Sequence, residues 1–244
     1  MGVTIHYSLR LETRSAAVAE RAVTAVHVAA KRLARKRGLG EVSPVLPLEE
    51  TFLHATRCAV ARGPFGEAHL LEVEPEAGWS FTVDVGEGCE PATFGLGRYP
   101  AFVVDGPQRR RTGFGGAWTF GAFCKTQYAS RGGGEHLLRC HAAVIDLILL
   151  WRKVGATVEI SDEGEYWPGR DPRTLLRRTR ALDQFTAALA GAMKDEAEAH
   201  GGPPVQSPIF AHPHFEHLEA EGAAMHGKLI EAVRRGGGMR EEKG

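Results

Sequence analysis

The chain has 244 residues, a formal net charge of zero and an apolar fraction of 43%. This length fits one large domain or two small halves that share a core. A neutral chain has no overall electric field that would attract nucleic acid or an anionic membrane. The four cysteines form no CxxC pair, which favours free thiols in a reducing cytoplasm over a disulfide framework.

Neither a secretory nor a membrane-spanning segment is expected. The first residues contain no apolar run of the length that a signal peptide needs. The longest apolar run, Ala142 to Trp151, is interrupted by Asp146 and is too short to cross a bilayer. We therefore expect a cytoplasmic protein.

The first part of the chain predicts a strand, a helix and a second strand. Apolar and polar residues alternate from Val3 to Leu11, as in a half-buried strand. An Ala-rich helix is predicted over Ser15 to Arg37, because several cations precede Gly38 there, as at a helix C-terminus. Glu41 to Leu48 predicts a second strand, which two prolines restrict to a sheet edge.

The middle of the chain gives weaker signals. Leu70 to Val73 and Trp79 to Val85 are predicted to form a hairpin, with its turn at Pro75 to Gly78. Residues Gly86 to Gly116 are rich in Gly and Pro, and we interpret them as a long connection. The pattern over Phe52 to Ala61 does not distinguish helix from strand.

The second part repeats the strand–helix–strand order and then becomes helical. Trp118 to Tyr128 predicts a strand, Glu135 to Val154 a deeply buried helix, and Thr157 to Asp162 another strand. A further helix is predicted over Asp171 to Ala199, with the aspartate as N-cap and proline at the first helical position. The last predicted helix covers Phe215 to Arg235.

These elements predict an α+β fold with one mixed sheet built from two strand–helix–strand halves. We expect the helices mainly on one face of the sheet, with additional C-terminal helices. The expected organisation is a single domain over residues 1–200, with similar halves at 1–85 and 117–200. A linker and C-terminal helix would follow over 201–235, then a disordered tail over 236–244.

Period-two alternation also predicts which side chains lie opposite the helices. They are His6, Ser8, Arg10, Glu72, Glu74, Ser80, Thr82, Asp84, Lys125, Gln127, Glu159, Ser161 and Glu163. One interpretation is a solvated face or a dimer surface. The other is a cleft for a polar small molecule, in which Arg10 and Lys125 bind an anionic group.

The acidic loop after the last strand carries the main catalytic hypothesis. Glu163 and Glu165 are candidates for acid–base chemistry, because neighbouring carboxylates push their pKa values apart. Tyr166 and Trp167 are candidates for stacking on a ligand ring. The alternative is a solvated turn with two aromatic residues folded over the core, and Arg170 paired with a carboxylate.

Two other features have a chemical and a structural interpretation. Cys124 and His141 would suit a nucleophile–base pair, or they are two buried residues. The Gly-rich stretch at residues 130–134 would bind phosphate through backbone N–H groups, or it is a plain turn.

A histidine cluster and a basic run complete the candidates. His212, His214 and His217, with Glu221 one turn further, have side chains that suit zinc. No HExxH motif is present, so a divalent metal is not favoured. The basic run at residues 109–111 is better explained as a solvated surface than as a nucleic-acid site.

The leading hypothesis is that the second half binds a small polar or anionic ligand in a cleft. The expected ligand-binding residues are Arg10, Lys125, Gln127, Tyr166, Trp167 and Arg170. Acid–base catalysis by Glu163 or Glu165 is an open addition to this hypothesis. The first alternative is a non-enzymatic module that binds a protein partner or another copy through the polar sheet face or the C-terminal helix. A metal-dependent hydrolase, with His212, His214 and His217 as ligands, is the third.

Overall fold

The computed structural model describes residues 3–48, 57–62 and 68–237. In chain order the strands and helices are β1 (Thr4–Leu11), α1 (Ala16–Arg37), β2 (Leu46–Pro47), β3 (Arg57–Arg62), β4 (Ala68–Val73), β5 (Ala77–Val83), β6 (Ala92–Arg98), β7 (Phe102–Asp105), β8 (Gln108–Arg111), β9 (Trp118–Lys125), α2 (Gly134–Leu149), β10 (Thr157–Asp162), α3 (Pro172–Ala199) and α4 (Phe215–Gly237). Short 3₁₀ segments cover Gln127–Gly132, Leu150–Val154 and Pro208–Ala211.

Six strands form the main sheet, in the order β10–β1–β9–β6–β5–β2. Every neighbouring pair in this sheet is antiparallel, where the sequence suggested a mixed sheet. The sheet is purely antiparallel because β1 lies between β9 and β10. The strands β9 and β10 flank α2 in the chain and run parallel to each other, but they do not share hydrogen bonds. Two separate hairpins, β3–β4 and β7–β8, complete the strands.

The predicted α+β architecture, with helices on one face of the sheet, is confirmed. Helices α1 and α2 pack against the side of the sheet to which the buried residues of β1 point. These are Ile5, Tyr7, Leu9 and Leu11. The alternate residues His6 and Arg10 are exposed on the opposite side, which we call the open face.

The ends of α1 follow the sequence signals. The Ser15 side chain accepts a hydrogen bond from the Val18 N–H, which satisfies one of the free donors at the helix start. Gly38 ends the helix in a left-handed conformation with φ of 61°. Glycine adopts this conformation without a steric penalty, so the helix stops where the sequence predicted.

The predicted hairpin between Leu70 and Val85 is wrong. Strand β4 pairs with β3, whereas β5 pairs with β6 and β2 in the main sheet. Glu72 and Glu74 therefore do not belong to the open face of the main sheet. The predicted edge strand over Glu41 to Leu48 shrinks to the two residues of β2, at the sheet edge.

The Gly- and Pro-rich stretch from Gly86 to Gly116 is not a plain connection. It contains β6, which lies inside the main sheet with Phe94 and Leu96 buried. A Cβ atom on Gly95 would collide with the Trp79 carbonyl oxygen. Glycine is thus needed here for close packing within the sheet rather than for a turn.

Helices α3 and α4 pack against each other along much of their length. The two helices approach closely at Gly222, where a Cβ atom would overlap the Gln184 carbonyl oxygen. Helix α4 continues to Gly237, two residues beyond its predicted end, and residues 238–244 of the predicted tail lie outside the described residues. Within the described ranges, none of the helices combines the length and apolarity needed to cross a membrane. The similarity of the two halves stays a prediction.

A buried polar chain joins β10, α2 and the end of β9. His141 Nε2 lies 3.1 Å from Asp162 Oδ1, and His141 Nδ1 lies 2.8 Å from Thr126 Oγ1. Burial by itself would raise the pKa of Asp162, but the contact with His141 and hydrogen bonds from the Trp167 and Gly164 N–H groups lower it. The charged carboxylate is therefore stabilised inside the fold.

We expect Asp162→Asn to lower the free energy of unfolding by about 3 kcal/mol at neutral pH, because one partner of a buried pair is lost. The lowered pKa means that the carboxylate contributes stability above its unfolded pKa of about 3.9. This contribution disappears as the pH falls through the folded pKa, so the difference between wild type and variant should shrink in acid. Urea unfolding of wild type and variant, at neutral pH and in acid, measures this difference in the free energy of unfolding. Glu159→Gln, on the exposed side of the same strand, is the control, and an equal loss there would contradict the assignment.

Candidate functional site

Lys125 and Glu163 lie on the open face, on either side of Thr4. Glu163 Oε2 accepts a hydrogen bond of 3.0 Å from the Thr4 N–H, and its Oε1 lies 3.7 Å from His6 Nε2. Lys125, on β9, lies directly opposite Thr4 of β1. Arg10 is six residues further along β1, or about 20 Å away, so it does not join them.

The aromatic part of the predicted site lies on the helix side of the sheet. Tyr166 is buried with its ring edge-on to His141. Arg170 donates a 2.6 Å hydrogen bond to Asp146 on α2, and its guanidinium lies 5.8 Å from the Trp167 ring centroid. The structure therefore divides the predicted ligand-binding set between two faces. Tyr166, Trp167 and Arg170 thus have the roles given in the alternative hypothesis, in which the aromatic residues fold over the core and Arg170 pairs with a carboxylate.

Gln127 and Glu165 also lie away from a shared cleft. The prediction that Gln127 lies on the open face is wrong, because β9 ends at Lys125 and Gln127 begins a buried 3₁₀ turn. Glu165 is exposed and pairs with Arg178.

Cys124 and His141 do not form a thiol–imidazole pair. The Cys124 thiol donates to the Glu90 carbonyl oxygen at 3.1 Å, whereas both ring nitrogens of His141 face Thr126 and Asp162. Burial raises the pKa of the Cys124 thiol, with nearby Glu90 adding to the effect. Both residues belong to the interior.

A cavity of about 470 Å³ lies between the start of α2, one face of α3 and the residues around the start of α4. Its volume is within the range of small-molecule sites. We call it the Asp183 cavity. It is lined by Ser130, Gly134, Leu137, Leu176, Thr179, Arg180, Asp183, His212, His214, His217 and Leu218. All of these residues come from the second half of the chain and its C-terminal extension.

Asp183 is the most unusual group in this cavity. Its side chain is a buried carboxylate, with a residue exposure of only 3%. It accepts a 2.8 Å hydrogen bond from Gln127 Nε2, but it makes no ion pair with any residue in the described ranges. Burial raises the pKa of Asp183, and the hydrogen bond from Gln127 only partly opposes this.

Two further polar atoms beside Asp183 are unsatisfied. Thr179 Oγ1 and Gln127 Oε1 are buried and have no hydrogen-bond partner among residues 3–48, 57–62 and 68–237. Thr179 has an exposure of 1% and lines the cavity one helical turn before Asp183. A buried polar atom without a partner costs about 1–3 kcal/mol. The cavity thus presents the Thr179 hydroxyl, which has no hydrogen-bond partner among the described residues, next to the Asp183 carboxylate.

The three histidines line the same cavity but do not assemble as metal ligands. The His212 and His214 ring centroids are 5.9 Å apart, and His217 Nε2 lies 3.2 Å from Glu221 Oε1. Burial lowers the pKa of His212, and the positive charges of His214 and Arg131 lower it further. Among residues 3–48, 57–62 and 68–237, no three His, Cys, Asp or Glu side chains are grouped to hold a metal ion.

Asp183 and Thr179 were missed from the sequence, although a signal was present. Leu175, Thr179, Asp183 and Ala187 follow each other at four-residue spacing, so they share one face of α3. Two polar residues inside an apolar helical stripe indicate either a buried hydrogen-bond network or a ligand site.

A second cavity of similar size, about 490 Å³, lies beside Glu163 and Arg178. Its charged side chains are half exposed, and Arg178 is already paired with Glu165. Its other lining residues include Phe185, Met225 and His226, whose ring is edge-on to that of Phe185. Since none of its charged side chains is buried, this cavity has a weaker claim to ligand binding than the Asp183 cavity.

Models of protein families, curated proteins and solved structures give no match to this chain. Function therefore has to be inferred from the geometry of the site.

Asp183→Asn should change the pH dependence of stability in a defined direction. A buried carboxyl with a raised pKa is most stabilising below its unfolded pKa of about 3.9, and it loses this contribution as the pH rises through the folded pKa. We expect the free energy of unfolding of the variant to rise relative to that of wild type as the pH increases from about 4 through the folded pKa of Asp183. Urea unfolding across this range tests the expectation. The exposed Glu198→Gln exchange on the same helix is the control, and a pH-independent difference for Asp183→Asn would contradict it.

Proposed function

We propose that the protein binds a small polar ligand in the Asp183 cavity, and that the ligand carries N–H donors such as an ammonium or amide group. The observation that carries the proposal is a buried carboxylate without a basic partner in the described residues, next to the unpartnered Thr179 hydroxyl. A ligand donor that reaches both groups would satisfy them at once.

Charge favours a cationic or neutral ligand over an anionic one. An anion would face the Asp183 carboxylate in a partly desolvated space, where like charges repel strongly. The cations at the rim do not offset this repulsion, because Arg180 and His217 both bind Glu221. The sequence left polar and anionic ligands open, and the cavity favours the polar class.

The walls of the cavity add a size and shape requirement. Leu137, Leu176 and Leu218 supply apolar surface around the polar groups. Ligand sites commonly combine apolar walls with a few convergent polar atoms. We therefore propose a ligand with a short carbon skeleton and one donor-rich end.

Acid–base chemistry is an extension of this proposal. Asp183, with its raised pKa, and His212, with its lowered pKa, both line the cavity. The raised pKa of Asp183 favours a protonated carboxyl that can donate a proton, and the lowered pKa of His212 favours a neutral imidazole that can accept one. Glu163 and Glu165, the residues that the sequence suggested, do not line it.

Small probes test the ligand class. We expect ethanolamine and acetamide to raise the unfolding temperature in a saturable way, whereas acetate and inorganic phosphate at equal ionic strength do not. At a probe concentration one hundred times the Kd, the stabilisation should be about 2.7 kcal/mol. Saturation-transfer NMR supplies an independent measure of binding.

Matched variants locate the binding. Asp183→Asn should raise the Kd for ethanolamine about tenfold or more, because a charge-assisted hydrogen bond is lost. Thr179→Val should weaken both probes. Thr186→Val and Glu198→Gln, on the same helix but outside the cavity, should change neither. Preferential binding of phosphate, no binding of any probe, or unchanged binding by Asp183→Asn would refute the proposal.

The two probes should also differ in their response to pH. Protonation of Asp183 removes the charge that an ammonium group needs, so the affinity for ethanolamine should rise as the pH increases through the pKa of Asp183. Neutral acetamide should show a much smaller change. Isothermal titration at several pH values measures both, and parallel curves would show that Asp183 does not contact the probe.

The alternative function, self-association through the open face, is favoured by one observation. Phe123 is 55% exposed there, with its ring 5.9 Å from that of His6, beside a shallow hollow of about 480 Å³. The face carries both acidic and basic groups, as a surface that meets its own copy requires. This alternative predicts that Phe123→Ser shifts sedimentation velocity toward the monomer without changing probe binding. No change in sedimentation would remove it.

A further inference from the structure

Two cysteine thiols meet on the side of α2 that faces the loop before β6. Cys140 lies on α2, and Cys89 lies in that loop three residues after Gly86, with its thiol near enough to the Cys140 thiol for each to shift the pKa of the other. The loop can approach because residue 86 is glycine. A Cβ atom on Gly86 would lie 2.8 Å from Cys140 Sγ. The Cys89 N–H donates to the Gly86 carbonyl oxygen at 3.2 Å, which fixes the turn that presents Cys89.

An ordered imidazole and a guanidinium accompany the two thiols. His136 lies one turn before Cys140, with Nε2 3.7 Å from Cys140 Sγ and 2.9 Å from the Glu87 carbonyl oxygen. Arg139 Nη2 lies 3.0 Å from His136 Nδ1, and Arg139 Nη1 donates to the Gly38 carbonyl oxygen at 3.0 Å. These contacts hold the imidazole against Cys140.

The electrostatic balance at the pair favours a thiolate on Cys140. The hydrogen bond from Cys89 lowers the pKa of Cys140 to about 7, against the cost of burial, and the charges of His136 and Arg139 help. Asp84 opposes the shift. The same hydrogen bond raises the pKa of Cys89, so Cys89 retains its proton.

We propose that Cys89 and Cys140 form an oxidisable dithiol that a small hydroperoxide converts to an intramolecular disulfide. The Cys140 thiolate attacks one peroxide oxygen, the O–O bond breaks, and the leaving oxygen takes up a proton as water or alcohol. Cys140 is then a sulfenic acid. The Cys89 sulfur attacks the Cys140 sulfur, the S–O bond breaks, and the hydroxide leaves with the thiol proton as water. Both sulfurs are oxidised, and the peroxide is reduced.

The size of the oxidant follows from burial. Cys140 is buried and Cys89 is partly exposed, so an oxidant that reacts with the Cys140 thiolate has to be small. In a reducing cytoplasm, the compartment that we propose for this protein, thiol exchange at the exposed side of Cys89 would restore the dithiol. This inference does not depend on the ligand proposed for the Asp183 cavity.

Hydrogen peroxide is the probe for the test. The reduced full-length chain is treated with it, the remaining thiols are blocked with N-ethylmaleimide, and peptides are mapped by mass spectrometry. We expect a linked Cys89–Cys140 peptide pair, two fewer blocked thiols per chain, and full reversal by dithiothreitol. Because this measurement uses the wild-type protein, it does not depend on the folding of a variant.

Variants and pH then test the assigned roles. Cys89→Ser and Cys140→Ser should each abolish the crosslink, whereas Cys124→Ser should leave it unchanged, since that thiol is buried and bound to the Glu90 carbonyl oxygen. The oxidation rate should rise through about pH 7 in wild type, and the rise should move to higher pH in Cys89→Ala, whose side chain has no hydrogen-bond donor. A crosslink to any other cysteine, oxidation of Cys140 without a crosslink, or no reaction would overturn the proposal.

Discussion

The contact between His141 and Asp162 is the constraint on which the site depends. It fixes the end of β10 to α2, and the hydrogen-bonding contact of the same imidazole with Thr126 fixes the end of β9. The next residue, Gln127, reaches α3 through Asp183. A continuous set of buried polar contacts therefore runs from the sheet through α2 to the cavity. Because these polar groups are buried, the loss of one contact would leave its partner group without a hydrogen bond in the interior, which is costly.

The two ends of this set differ in how fully they are satisfied. Asp162 accepts backbone N–H bonds and faces an imidazole, so its charge is stabilised. Asp183 has amide and hydroxyl neighbours only, and Thr179 beside it has no partner in the described residues. In natural proteins such local violations of good packing occur mainly at functional sites. This contrast is the reason to place the ligand at Asp183 and to regard Asp162 as structural.

Helix α2 connects the two proposed sites. Gly134 and Leu137 face the Asp183 cavity, whereas His136 and Cys140 face the loop with Cys89. His141 holds this helix to the sheet between them. A disulfide at Cys140 would restrain the first turns of the same helix that forms one wall of the cavity. Ligand binding and thiol oxidation would thus act on one rigid element.

Residues close together in sequence were predicted well where local chemistry decides the outcome. The alternation over β1, the end of α1 at Gly38, and Asp171 before Pro172 at the start of α3 all depend on near neighbours. The glycines of β6 were wrongly interpreted as part of a connection. Gly95 is required by its close contact with Trp79, which lies on another strand. The grouping of Lys125 and Glu163 on one face followed from alternation, but the separation of Trp167 from them did not.

The amino-acid sequence by itself determined the α+β class, most helix boundaries and the apolar side of the sheet, since periodicity and capping act over a few residues. Only the tertiary structure decided that β1 lies between β9 and β10, that Asp183 meets Gln127, and that Cys89 meets Cys140. These pairings join residues far apart in the chain, and the balance of packing and desolvation that selects them has no local pattern.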